Sequence, residues 1–254
     1  MLISITDKCR MNCPHCMDNA LEDNNNFMTE DVFLDSVKFN FDRDKTLTLS
    51  GGEPTEHPNF WNFLDILRSE MPNNSIVTVT TNGMNIDKDD GTLLRRIKKL
   101  NENPRKHILF QVTSVKGLYP IQIDLSNPIF RLDTVTVCDE LQIMSPMGRA
   151  VVNRDRFTFN SKAPHCFNLR SLTRRFADYK MAIQFLRNSF KFCTPQIDYK
   201  GDIKLGESCL CPCVASIYNT DSEITEKIIS FRCSQCSELL NKLPQEYRKA
   251  IGEV

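Results

Sequence analysis

Over the first 115 residues the apolar positions switch regularly between two periods. Residues 2–6 (LISIT) are a short apolar run, and residues 46–50 (TLTLS) alternate apolar and polar as a strand does. Residues 75–81 (SIVTVTT) are β-branched, and residues 107–113 (HILFQVT) repeat the strand pattern. Helical spacing fills the gaps. Residues 29–39 place Phe33 and Val37 one turn apart behind a plausible N-cap, Thr29. Pro58 is expected to open a helix carrying Phe60, Leu64 and Leu67, and Leu93, Leu94, Ile97 and Leu100 mark a third. This βαβα rhythm predicts a parallel sheet with helices on its outside.

The rest of the chain is less regular. Residues 132–137 (LDTVTV) and 141–144 (LQIM) read as strands. Leu172, Phe176, Tyr179, Ile183, Leu186 and Phe190 then follow the spacing of a long amphipathic helix that stops before Cys193. A boundary near residue 190 divides the chain into units 1–190 and 191–254. In the second unit, residues 196–205 read as a hairpin turning at Lys200-Gly201-Asp202, and Leu239, Leu240 and Leu243 mark a final helix. Asn24-Asn25-Asn26 reads as a loop.

Composition narrows the class. Among 254 residues, 32 Lys plus Arg balance 32 Asp plus Glu, so nothing in the charge calls for nucleic acid or a membrane surface. No apolar run approaches the roughly 18 residues of a spanning helix, and the N-terminus is too quickly polar for a secretory signal. The expected location is the cytoplasm. There the eleven cysteines point to metal or redox work, because disulfides are rare in a reducing compartment. They cluster as Cys9, Cys13 and Cys16, and as Cys193, Cys209, Cys211, Cys213, Cys233 and Cys236; Cys138 and Cys166 stand apart as ordinary thiols.

The first group reads CRMNCPHC, C-x3-C-x2-C, directly after the first strand. Three thiolates so spaced wrap one face of a cubane cluster and leave a fourth iron without a protein ligand. Such an open iron can chelate a small molecule through an amine and a carboxylate. The alternative is a zinc knuckle, but structural zinc takes four ligands and His15 adjoins Cys16 too closely to be a good fourth.

The motif resembles that of the radical S-adenosylmethionine superfamily, and later motifs follow in that family's order. The resemblance implies a partial TIM-type (β/α)6 barrel, an α/β fold, with a small cysteine-rich C-terminal hairpin-plus-helix domain. It implies a [4Fe–4S] cluster on Cys9, Cys13 and Cys16 that binds S-adenosyl-L-methionine. SGGEP (50–54) would set Gly51, Gly52 and Glu53 against the cofactor's amino group. Glycines allow close backbone approach, and a carboxylate suits an ammonium. TTNG (80–83), with Thr81 and Asn82, ends the third strand near the cofactor; a plain Asn-Gly turn is the alternative. QVTSV (111–115) stands where relatives often read V-S-L-D, with Thr113 for the serine and Val115 for the aspartate. His15 holds the place where many relatives carry an aromatic beside adenine, to stack there or to offer only its backbone. Arg149 in PMGRA (146–150) is placed to reach the cofactor or an acidic group, or to stay in solvent.

The second cysteine group resembles the auxiliary-cluster tails called SPASM, and in particular the shorter twitch layout of the 2-deoxy-scyllo-inosamine dehydrogenases. That implies an auxiliary [4Fe–4S] cluster on Cys193, Cys209, Cys233 and Cys236, with Cys211 and Cys213 unassigned. A four-cysteine zinc ribbon is the alternative. The expected activity is cleavage of S-adenosylmethionine to a 5′-deoxyadenosyl radical and hydrogen abstraction from a ribosomally made peptide or a protein side chain. Dehydrogenation of a sugar- or cyclitol-like metabolite is the second expectation, and a non-catalytic metal-binding module the third. An electron donor such as a flavodoxin or ferredoxin is an expected partner. The barrel starts at residue 2 without a preceding winged helix, which weakens the peptide expectation.

Overall fold

A computed structural model describes residues 1–86, 91–139, 148–157, 195–205 and 212–230. The predicted strand 141–144, the long helix to residue 190 and the final helix lie outside these, as do Cys166, Cys193, Cys209, Cys211, Cys233 and Cys236.

The rhythm of the first half is realised. β1 (Leu2–Ser4), α1 (Glu30–Phe41), β2 (Thr46–Ser50), α2 (Phe60–Glu70), β3 (Ser75–Thr81), α3 (Thr92–Leu100), β4 (Lys106–Thr113) and β5 (Val135–Cys138) follow in order. A four-residue α4 (Arg149–Val152) comes next. β6 (Pro195–Ile197), β7 (Asp202–Leu205), β8 (Cys213–Ser216) and α5 (Asp221–Ser230) complete the described elements. One eight-stranded sheet runs β5-β4-β3-β2-β1-β6-β7-β8. Strands β1 to β5 pair in parallel with their sequence neighbours, and β6 pairs parallel to β1. β7 and β8 return antiparallel. The sheet is therefore continuous across the boundary expected near residue 190.

The alternation in TLTLS has a clear outcome. Leu47, Leu49, Val77, Val79, Ile108 and Phe110 form one apolar cluster with Phe33, Val37, Phe63, Leu64, Leu67 and Ile97 of the helices. Phe33 and Phe63 stack at 4.0 Å between centroids. The opposite face carries the polar positions. Thr78, Thr48, Leu2, Gln196 and Lys204 share one row across five strands. A parallel sheet with both faces dry reads as continuous Val, Ile and Leu. The alternation here matches a sheet with one face covered by helices and the other carrying partly exposed, mostly polar positions.

Small departures have local causes. α1 starts behind Thr29, whose side chain accepts from the Val32 N–H as expected. α2 has Asn59 at its N-cap position, without a side-chain capping bond, so Pro58 belongs to the preceding turn, where His57 takes the Asn59 N–H on Nδ1 and the Phe60 N–H on its carbonyl. β1 stops short of Thr6 because Thr6 Oγ1 donates to the Asn26 carbonyl and accepts the Lys8 N–H. α5 was not anticipated, yet Thr220 and Glu223 form a capping box that announces it. Among the described residues no helix is long and apolar enough to cross a membrane.

Candidate cofactor site

The cysteine loop leaves the C-terminal end of β1, where ligands gather in parallel sheets. A strap holds it from below. Asp7 accepts both the backbone N–H and the side-chain amide of Asn26, and Lys8 Nζ donates to Glu22 O and Asn25 Oδ1. The Asn24-Asn25-Asn26 segment is thus a brace for the loop. Cys9 and Cys13 are buried and Cys16 is half-buried, all as free thiols. Burial pushes the Cys9 thiol up to about 11, and burial with the neighbouring Cys9 and Cys16 charges pushes Cys13 up to about 12. A cationic iron core bound there would offset both effects.

PMGRA packs on this loop. A Cβ on Gly148 would stand 2.4 Å from the Cys16 carbonyl oxygen, and its φ of +56° is one that side chains rarely adopt. The Arg149 N–H donates to Cys16 O, its Nε to Cys13 O and its Nη1 to Ala20 O. Asn153 Nδ2 adds a bond to Pro14 O. Arg149 therefore staples the carbonyls of the cysteine loop instead of lying in solvent or meeting an acid.

SGGEP closes the other side. A Cβ on Gly52 would meet the Lys8 carbonyl oxygen at 2.3 Å, so the glycine permits the β2 end to press against the loop. The sequence aims the Glu53 carboxylate at an ammonium, whereas the structure gives it four protein donors. Oε1 accepts Thr55 N–H, Thr55 Oγ1 and Thr81 Oγ1, and Oε2 accepts the Asn82 N–H at 2.7 Å. Glu53 is fully enclosed, and burial raises its carboxyl pKa against the pull of those four bonds. It ties the end of β2 to the end of β3, bringing Thr81 and Asn82 to the cysteine loop.

His15 meets Tyr119 edge-on at 5.0 Å and Phe157 at 6.3 Å between ring centroids. Burial and the Arg149 charge hold its pKa below the ordinary imidazole value, so the ring is neutral near pH 7. Its Nδ1 is buried without a hydrogen-bond partner. Tyr119 was missed by the sequence reading, and its phenol is raised by burial and by the charges of the three cysteines and Glu53. Nothing in its local sequence marks it, because it reaches the site from a turn beyond β4. Thr113 ends β4 half-buried, opposite Cys138 on β5 and one strand further from the cysteine loop than Thr81. Of the tail cysteines only Cys213 is described; it is exposed at the start of β8.

The donor set fits an iron–sulfur cluster. Three free thiols lie on one braced loop, and the same loop carries His15, whose Nδ1 is buried without a hydrogen-bond partner. Among the described residues no three His, Cys, Asp or Glu side chains are grouped to hold a single metal ion. In a cubane each thiolate takes a different iron, so the sulfurs need not converge on one point.

Comparison with known proteins agrees. Residues 3–120 match the model of the Radical SAM superfamily. GTP 3′,8-cyclase of Clostridium perfringens strain SM101 is 30% identical over 120 residues, which are 45% of this chain and 34% of that protein. The enzyme of strain 13 gives the same values. The match therefore spans about a third of those relatives' length. Among solved structures, BtrN in complex with AdoMet and 2-DOIA superposes with a TM-score of 0.57 and 12% identity, covering 99% of this chain and 90% of that one. The anSMEcpe structure with bound AdoMet and Cp18Cys peptide gives 0.51 and 13%, covering 99% and 88%. At these identities the likeness is one of fold. The C-x3-C-x2-C loop, the glycine-lined β2 end and the parallel sheet behind them all fall within residues 3–120, the part of the chain that matches the Radical SAM superfamily as a domain.

Proposed function

We propose that the chain is an enzyme that cleaves S-adenosylmethionine reductively and removes hydrogen from a peptide or protein side chain. The observation that carries this is the loop itself: three free thiols held between Gly52 and Gly148 at the C-terminal ends of parallel strands. Cys9, Cys13 and Cys16 would hold a [4Fe–4S] cluster, which when bound would supply the electron for reductive cleavage of the cofactor to methionine and a 5′-deoxyadenosyl radical. The protein's part is positioning. Arg149 and Asn153 fix the loop's carbonyls, Gly51 and Gly52 offer backbone to the methionyl ammonium, and Glu53 orders the turns around it. His15 Nδ1 and the Tyr119 ring bound the adenine side. Electrons would come from a flavodoxin- or ferredoxin-like donor. The tail cysteines Cys193, Cys209, Cys233 and Cys236 would carry an auxiliary cluster.

The peptide reading draws support from the anSMEcpe likeness. A second reading, oxidation of a small hydroxylated metabolite, is favoured by one feature. Gln196 is 9% exposed, has no side-chain hydrogen bond among the described residues, and lines a cleft with Ser4, Gly51, Gly52, Asp198 and Lys204. A side-chain amide on a cleft wall, without a protein partner among the described residues, suits a hydroxyl or amine ligand. The test is deuterium transfer. The true substrate, deuterated at the reacting carbon, gives labelled 5′-deoxyadenosine, and peptides and cyclitols are run side by side. A protein that releases no 5′-deoxyadenosine under reduction would instead be a non-catalytic metal-binding module.

A further inference from the structure

Asn82 follows β3 directly and is 8% exposed. Its carboxamide has two ends with different duties. Oδ1 accepts the Met84 N–H at 3.0 Å, closing a turn at Gly83. That bond decides which end carries the hydrogens. Nδ2 then lies 3.7 Å from Cys9 Sγ, within reach of a hydrogen bond to sulfur. The backbone is held as firmly, because the Asn82 N–H donates to Glu53 Oε2 at 2.7 Å. Thr81 Oγ1, itself donating to Glu53 at 2.6 Å, accepts the Gly83 N–H.

The turn alone needs only the acceptor. Aspartate or serine at position 82 would close it equally well. The amide donor is surplus to the turn, and it points at a sulfur that burial has stripped of water. Hydrogen bonds to ligand sulfurs favour the more negative, reduced state of an iron–sulfur cluster and so raise its potential.

The geometry points to Asn82 as a positioning residue that donates to the Cys9 sulfur and raises the potential of the cluster there, with Glu53 holding its backbone in place. The inference rests on the reading of Cys9 as a cluster ligand. It assigns Asn82 to the sulfur of the loop, beyond general proximity to the cofactor.

The experiment uses the full chain, reconstituted anaerobically, as wild type, Asn82→Ser and Asn82→Asp. Both variants keep an acceptor for Met84 and lose the donor. Iron is counted first. The midpoint potential is then read from the electron-spin signal that changes on adding S-adenosylmethionine, before the addition. The potential of Asn82→Ser should fall below that of wild type, and that of Asn82→Asp further still. An Asn82→Ser potential equal to or above wild type, with iron retained, would overturn the assignment. Should neither variant retain the cluster, wild type labelled with nitrogen-15 in asparagine side chains decides. A nitrogen coupling in pulsed spin resonance supports the bond, and its absence overturns it. A wild type with no cluster on Cys9 overturns the underlying reading as well, and shows itself at the iron count.

Discussion

Glu53 is a carboxylate enclosed by protein, and its energetics follow from that. Its pKa is raised in the fold, chiefly by burial. Its contribution is then most favourable below the ordinary carboxylate value and is lost as pH rises through the raised one. Stability of wild type relative to Glu53→Gln should therefore decline over that window and level off above it. Urea unfolding of the cluster-free protein at stepped pH measures this, and a difference that does not vary with pH would sink the account of Glu53. Arg149 makes the opposite kind of contact, a charge spent on neutral carbonyls. Arg149→Met should cost about 2–4 kcal/mol for two charge-assisted bonds and loosen iron retention. Loss of cofactor cleavage with unchanged stability and iron would place Arg149 at the cofactor instead.

At the scale of elements, what decides the site is how closely three turns approach the cysteine loop. Gly52→Ala and Gly148→Ala each drive a methyl into backbone oxygen at 2.3 and 2.4 Å. Backbone cannot swing aside as a side chain does, so each change should destabilise by at least about 1–3 kcal/mol and lower iron uptake. Gly117→Ala is the control, because nothing lies within 4 Å of its added Cβ, although its φ of +82° carries some strain of its own. Full iron uptake by both loop variants would contradict the packing argument. The strands and helices of the first half were legible because their periods are clean, and α1 also because Thr29 is a conventional cap. The cysteine loop was legible from spacing, and SGGEP from its resemblance to a family motif. The partners of these motifs were not. Arg149 meets Cys13 across 136 residues and Asn82 meets Cys9 across 73, and no local pattern encodes such approaches. Tyr119 and the asparagine strap were missed for the same reason.

For the whole molecule, the sheet joins residues 3–120, which match the Radical SAM superfamily, to the hairpin of the tail, since β6 lies against β1. Changes in the tail should therefore be felt at the substrate side of the first loop. A full complement of two cubanes corresponds to about eight irons, and a chain lacking Cys9, Cys13 and Cys16 should keep about four. One zinc and no iron in that variant would leave a single-cluster enzyme with a structural tail. The central claim is narrower, that the loop Cys9–Cys16 holds the cluster that cleaves the cofactor. Its most direct test is 5′-deoxyadenosine release from S-adenosylmethionine under dithionite, by wild type and by Cys9→Ala, Cys13→Ala and Cys16→Ala, with circular dichroism as the check on folding. Wild type should release it and all three folded variants should not; release by any one of them at the wild-type rate would contradict the account.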